Sequence, residues 1–280
     1  MNTLYNIMEK LLPFSWVDYN FMKNALLAII IITPLFGILG TMVINNRMAF
    51  FSDALGHSAL TGIAVGTIFG IMDTNISMVL YAIIFALLLN FIKRRKTLST
   101  DTVISVFSSC SMAIGLMILS RGGNFSRYSS LLVGDILNIT VEEIGLLCII
   151  FIITLIYWFL CFNRLHSVGV NVSLARSKSI RSNLIEDSFS ILIAIIVMLS
   201  IKWVGILIIN ALLILPAAAG RNIASNMREY HLFAVLIAVF SGISGLILSY
   251  YMGTATGPTV VIVAAFLFFI TLFLSPTKDK

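Results

Sequence analysis

Apolar residues run along most of this chain in long, nearly unbroken stretches, and short polar clusters separate them. Nine stretches stand out: 24–44, 52–71, 76–92, 100–120, 141–162, 186–202, 204–220, 231–250 and 257–275. Crossing about 30 Å of hydrocarbon takes roughly 20 apolar residues in a helix. A helix also satisfies its own backbone amides where lipid offers them no partner. The pattern therefore predicts an all-α fold, a polytopic membrane helix bundle of eight to nine transmembrane helices. The stretch 204–220 is the reason for the range, because it follows its neighbour almost without a loop and contains Pro216. It is expected to be short, broken or partly cytoplasmic. A short amphipathic helix is expected over residues 3–12.

Composition agrees. Of 280 residues, 59% are hydrophobic and 11% charged, with a mean hydropathy of +1.05, against about 25% charged in soluble domains. With 5 prolines and no low-complexity linker, residues 1–280 read as a single transmembrane domain. The net charge of +6 is first a matter of topology, since cytoplasmic loops are rich in Lys and Arg. With the N-terminus outside, 13 of the 18 basic residues fall inside, including the run Lys93, Arg94, Arg95 and Lys96. The remaining 5 are Lys10, Lys23, Arg121, Arg127 and Lys202. The expected orientation is N-out and C-in, and the basic run is a cytoplasmic anchor; no nucleic acid is implied. Cys110, Cys148 and Cys161 lie in apolar segments without paired spacing and read as small buried hydrophobes. The N-terminus lacks the pattern of a cleaved signal peptide. The long polar insertion at 163–185 alternates basic with apolar residues, as a short amphipathic helix or a partner-docking surface at the cytoplasmic face would.

One segment carries candidate chemistry. Asp53 and His57 stand four apart in an otherwise apolar and small-residue stretch, so they share one face of a helix. A carboxylate and an imidazole at this spacing can ligate one divalent cation, or can simply pair with each other. Ionisable residues in spans usually line a pathway. Ala54, Ser58, Gly62, Gly66 and Gly70 recur every four residues beside them, a stripe suited to close helix packing. Zinc usually takes four ligands, so other donors are needed. Ser108, Ser109, Cys110 and Asn210 are candidates, each more ordinarily a structural hydrogen-bonding group. His166 and His231 are expected in loops.

The stretch 47–66, RMAFFSDALGHSALTGIAVG, resembles the signature of the metal-type permeases of bacterial ATP-binding-cassette importers, which take up zinc or manganese. Arg47, Met48, Asp53, Ala54, Leu55, His57, Leu60, Gly62 and Ala64 match; Asn46, Ser52 and Thr61 depart from the Arg, Gly and Pro of the pattern. The segments 99–106, 128–140, 204–224 and 257–276 resemble further family motifs in the same order, with Ser105 where the family has Gly. The helix arrangement of the family is similar to that of cobalamin and siderophore importers. The resemblance implies a homodimeric permease in the bacterial plasma membrane, working with separate cytoplasmic ATP-binding subunits and an extracellular metal-binding protein. It carries metal binding in transit to Asp53 and His57. It places an ATPase-coupling segment at about 170–185, where Leu174, Ala175 and Ser179 fall on the family motif, with Ser179 replacing a glycine. A serine adopts the backbone angles of such a turn less easily than glycine.

No G-x-x-x-x-G-K followed by Ser or Thr occurs, so ATP hydrolysis is expected on another chain; the resemblance implies a transport subunit rather than an enzyme. No permanent cofactor is implied; zinc or manganese is the expected substrate. The stretches 134–140 and 257–261 look more like zinc-importer relatives, yet no residue type separates the two metals by ligand chemistry. A metal–proton secondary transporter would use similar residues, but no internal repeat is visible. A chelate permease would need a wide path rather than two ligands for a bare ion. An intramembrane hydrolase would need a fuller ligand set such as H-E-x-x-H, which is absent.

Overall fold

A computed structural model describes residues 5, 8–9, 15–71, 73–94, 99–121, 128 and 130–274. Among them are eleven α-helices and no strand. They are α1 (Asn20–Asn45), α2 (Ala49–Phe69), α3 (Thr74–Lys93), α4 (Thr100–Arg121), α5 (Ser130–Val133), α6 (Val141–Val170), α7 (Val172–Ser177), α8 (Ser182–Val204), α9 (Ile206–Ile223), α10 (Met227–Met252) and α11 (Thr256–Leu274). Short 3-10 turns occupy Ser15–Asp18 and Ile136–Asn138. Each of the nine expected spans is a helix. Most of the amphipathic segment expected at 3–12 lies outside the described residues.

Seven helices, α1, α3, α4, α6, α8, α10 and α11, are long and apolar enough to cross a membrane by length and composition. The two others differ for separate reasons. The helix α9 is 18 residues long, Ile206–Ile223, and Asn210, Pro216, Arg221 and Asn222 interrupt its apolar run. In α2 the deficit is compositional, because the Ser, Thr, Gly, Asp and His that define its motif lower its apolarity. It is nonetheless mostly buried, from Phe51 to Ala64, so protein rather than lipid is its solvent. Elsewhere large apolar side chains point outward, among them Ile84, Phe159, Phe240, Phe266 and Phe273. A soluble chain would not leave so many uncovered; hydrocarbon covers them at no cost.

The insertion at 163–185 contains a short helix, α7, as expected, and is helical over most of its length, because α6 runs to Val170 and α8 follows. Two other expectations are corrected. Nothing between Asn163 and Val170 is a proline, so the helix outlasts its apolar stretch. His166 therefore sits on α6, stacked on Phe162, and His231 lies in the second turn of α10, its Nδ1 2.7 Å from the Met227 carbonyl. The three cysteines are free, with Cys110 and Cys148 exposed and Cys161 partly so. Hydropathy does not distinguish a lipid-facing position from a core one.

Helix ends follow local chemistry. Asp73 caps α3 by accepting from the Asn75 and Ile76 amides at 2.8 and 3.4 Å. Thr140 and Glu143 exchange side-chain and backbone hydrogen bonds at the start of α6, a capping box. Gly70, the last member of the small-residue stripe, ends α2 in the left-handed conformation, φ +68°. Its role is termination rather than packing.

The chain groups into two compact units. One comprises residues 1–41, 135–153 and 215–280. Here α10 is held close by its neighbours: a Cβ on Gly37 of α1 would fall 2.9 Å from the Val235 Cα, one on Gly220 2.8 Å from the Ala234 amide, and one on Gly245 2.6 Å from Val260 of α11. The other unit comprises residues 42–134 and 154–214 and contains α2, which packs on α3, α4 and α8. Within it, the loop after α5 meets the junction of α8 and α9 backbone to backbone. Gly134 and Gly205 both have positive φ, +71° and +94°, and a Cβ on Gly134 would lie 2.3 Å from the Gly205 amide nitrogen. This contact explains the glycines in the stretches GDILNIT and VGILI.

Gly134→Ala and Gly205→Ala should each lower the thermal stability of the detergent-solubilised protein, by more than about 1 kcal/mol. Gly145→Ala, where a Cβ would meet nothing within 4 Å, should be neutral or stabilising. A fluorescence-detected melting curve for each variant checks the contrast.

Candidate functional site

The site is built around α2. Its start is set by a tight turn after α1. The Met48 amide donates to the Val43 carbonyl at 2.8 Å and the Arg47 amide to Ile44 at 3.1 Å, with Arg47 at φ +56°. This is a Schellman closure with a non-glycine residue in the left-handed position. The apolar contact such a turn wants is available, because Val43 and Met48 are both buried. The helix thus begins at Ala49, and Asp53 lies in its second turn.

Three neighbours then fix the rotation of α2. A Cβ on Gly62 would stand 3.0 Å from the Met78 Cα of α3, and one on Gly66 would overlap Ser77; the Ser77 hydroxyl donates to the Gly62 carbonyl. On the α4 side, a Cβ on Gly115 would lie 2.7 Å from the Thr61 amide. The Thr61 hydroxyl donates to the Ser111 carbonyl, and Ser111 Oγ lies 2.9 Å from the Tyr81 hydroxyl. On α9, Asn210 Oδ1 accepts from the Ser52 hydroxyl at 2.6 Å. The stripe formed by Ala54, Ser58, Gly62 and Gly66 is therefore a packing surface, as expected of it.

Between Phe51 and Ala64, every residue except Asp53 and His57 is buried. Both side chains enter a cavity of about 260 Å³ lined also by Phe50, Ala54, Ile104, Ser105, Ser108, Ser109 and Met112. Asp53 Oδ2 and His57 Nε2 are 3.7 Å apart. That is too long for an N–H···O hydrogen bond, so the two do not satisfy each other. Two ligand bonds of about 2.1 Å at a tetrahedral angle would hold their donor atoms roughly 3.4 Å apart, so the pair is spaced to share one cation. Among the described residues no group of three or more His, Cys, Asp and Glu could hold a metal ion. One chain thus offers a carboxylate and an imidazole, and hydroxyls, water or a second copy must complete any coordination sphere.

The other sequence-derived candidates divide. Ser108 and Ser109 line the cavity. Asn210 is engaged by Ser52, and Cys110 is exposed and outside the lining. Ser105 and Met112 were not candidates, although their spacing from Ser108 and Ser109 places all four on one side of α4.

The segment expected to couple to an ATPase comprises α7 and the turn after it. The Ser179 amide donates to the Arg176 carbonyl at 2.9 Å and the Ile180 amide to Ala175 at 3.1 Å. Ser179 has φ +58°, so the serine does take the conformation that glycine prefers. Ala175 is fully buried, and Leu174 lies in the helix. Beyond the turn, α8 is tied to α3: Arg94 Nη2 donates to Asp187 Oδ1 at 2.6 Å and Asn90 Nδ2 to the same oxygen at 2.9 Å.

The family described as the ABC 3 transport family matches residues 18–275. The high-affinity zinc uptake system membrane protein ZnuB of Haemophilus influenzae is 35% identical over 89% of this chain and 95% of its own length. The manganese import system permease protein ScaB of Streptococcus gordonii is 25% identical over 93% of this chain and 94% of its own. Among solved structures, PsaBC from Streptococcus pneumoniae in complex with Fab shares the fold, with a TM-score of 0.82 at 22% identity, covering 100% of this chain and 98% of that one.

A left-handed residue other than glycine costs about 1–2 kcal/mol. Ser179→Gly should therefore tighten the turn, and hydrogen exchange at the Ser179 and Ile180 amides should slow by roughly fivefold or more. Ser179→Val should accelerate it.

Proposed function

The chain belongs to the ABC 3 transport family, and on that premise we propose that it is the membrane-spanning permease subunit of an ATP-driven importer of a divalent transition metal, zinc or manganese. The observation that carries this reading is the placement of Asp53 and His57. They are the two ionisable residues of a mostly buried helix that reach a cavity, at a separation suited to one shared cation. The names of the relatives from Haemophilus influenzae and Streptococcus gordonii supply the two metals.

In this mechanism the cation is the substrate, delivered at the outer face by an extracellular metal-binding protein. It meets Asp53 and His57 inside the membrane, where two protein ligands hold it briefly. A site with few protein ligands suits transport, because a closed four-ligand cage would retain the ion. Two copies of the chain face each other across the path, and water completes the coordination. Cytoplasmic ATP-binding subunits dock against residues 172–183, with Leu174, Ala175 and Ser179 in the docking element. Their closure moves α7, and the Arg94–Asp187–Asn90 cluster passes that movement from α8 to α3 and so to α2. The N-terminus is outside and the C-terminus cytoplasmic, and lipid covers the outward apolar side chains.

The test is uptake of radioactive zinc and manganese by cells expressing the chain with its ATP-binding and metal-binding partners. Asp53→Ala and His57→Ala should each reduce uptake at least tenfold at equal membrane levels, by about 1.4 kcal/mol or more. Omitting the ATP-binding subunit should abolish it. Normal transport in both variants would overturn the assignment of the site.

A further inference from the structure

Asp53 and His57 form one wall of the cavity, and α4 forms the opposite lining with Ser105, Ser108, Ser109 and Met112. Ser105 and Ser109 are exposed and Ser108 is partly so, and none of the three hydroxyls has a hydrogen-bond partner among the described residues. A packing serine in an apolar helix normally returns its hydroxyl to the backbone one turn earlier. The buried Ser52 and Ser58 do so, both at 2.8 Å. Three hydroxyls gathered on the lining of a cavity that already holds a carboxylate and an imidazole call for a ligand-side explanation.

We propose that these serines, with Ser105 the determining member, hydrogen-bond the water shell that the cation keeps in the site, and so set which metal is favoured. The inference rests on the function proposed above and deepens it. Hydroxyls are weak direct ligands but good partners for water. With two protein ligands supplied by one chain, a cation that remains four-coordinate keeps few waters, whereas one with a preference for oxygen and higher coordination keeps more. The hydroxyl wall therefore favours manganese over zinc relative to a site without it. Ser105 is the residue that distinguishes this chain, since the resembled motif has glycine there. It is a positioning residue that acts through water, not a ligand.

The experiment measures concentration-dependent uptake of each metal, and competition of each against the other, for Ser105→Ala, Ser105→Thr and Asp53→Ala at matched membrane levels. Ser105→Ala should raise the KM or competition constant for manganese by about tenfold, the scale of outer-shell partners. The value for zinc should change less than about threefold, and the maximal rate should be kept. Ser105→Thr retains a hydroxyl and should restore the wild-type ratio. Unchanged constants for both metals in Ser105→Ala, with Asp53→Ala inactive, would overturn the hydroxyl wall and leave the permease function standing. The same holds if threonine is as damaging as alanine, which would make Ser105 a packing residue. Normal transport by Asp53→Ala would overturn both.

Discussion

An ionisable pair in the middle of an apolar bundle can exist only if protein, not hydrocarbon, surrounds the helix that bears it. The rest of this architecture follows from that requirement. A carboxylate facing lipid costs several kcal/mol, so α2 must be enclosed. Enclosure at short range demands residues without bulk, and the helix supplies Ala54, Gly56, Ser58, Gly62 and Gly66. The neighbours answer in kind, with Gly115 on α4 and Ser77 on α3. Close backbone approach leaves little freedom to rotate, so the one face that is not packed is presented to the cavity. Site and scaffold are thus two sides of one helix.

The same requirement explains why α2 fails a test based on apolarity that its less functional neighbours pass. Its composition is set by packing and by the ionisable pair it carries, while α3, α6 and α11 are set by lipid. Much of this was legible in the sequence. All nine long helices, the pairing of Asp53 with His57 on one face and the packing role of the small residues followed from hydropathy and helical spacing alone. Ser179 in place of the family's glycine put the turn in doubt, yet the turn is found, with the serine at positive φ.

What was not legible shares a cause. Periodicity tells which residues of one helix lie together, but not which helix lies opposite. Ser105 was therefore invisible as a cavity residue until α4 was seen against α2. The cysteines were misplaced because lipid and protein core are equally apolar. Polarity suggests the end of a helix at His166 and His231; α6 instead continues to Val170, with Leu165 and Val168 buried. The contact of Gly134 with Gly205 joins two motifs far apart in sequence, a relation that no single segment reveals.

The central claim is that a transported cation is held by Asp53 and His57 together. The most direct measurement is a zinc-edge X-ray absorption spectrum of the purified chain carrying one zinc per polypeptide, compared with His57→Gln and Asp53→Asn. The account predicts imidazole scattering in the native spectrum, its loss in His57→Gln, and a lower oxygen count or loss of bound zinc in Asp53→Asn. Identical spectra and identical zinc content in all three proteins would place the cation elsewhere and contradict the account.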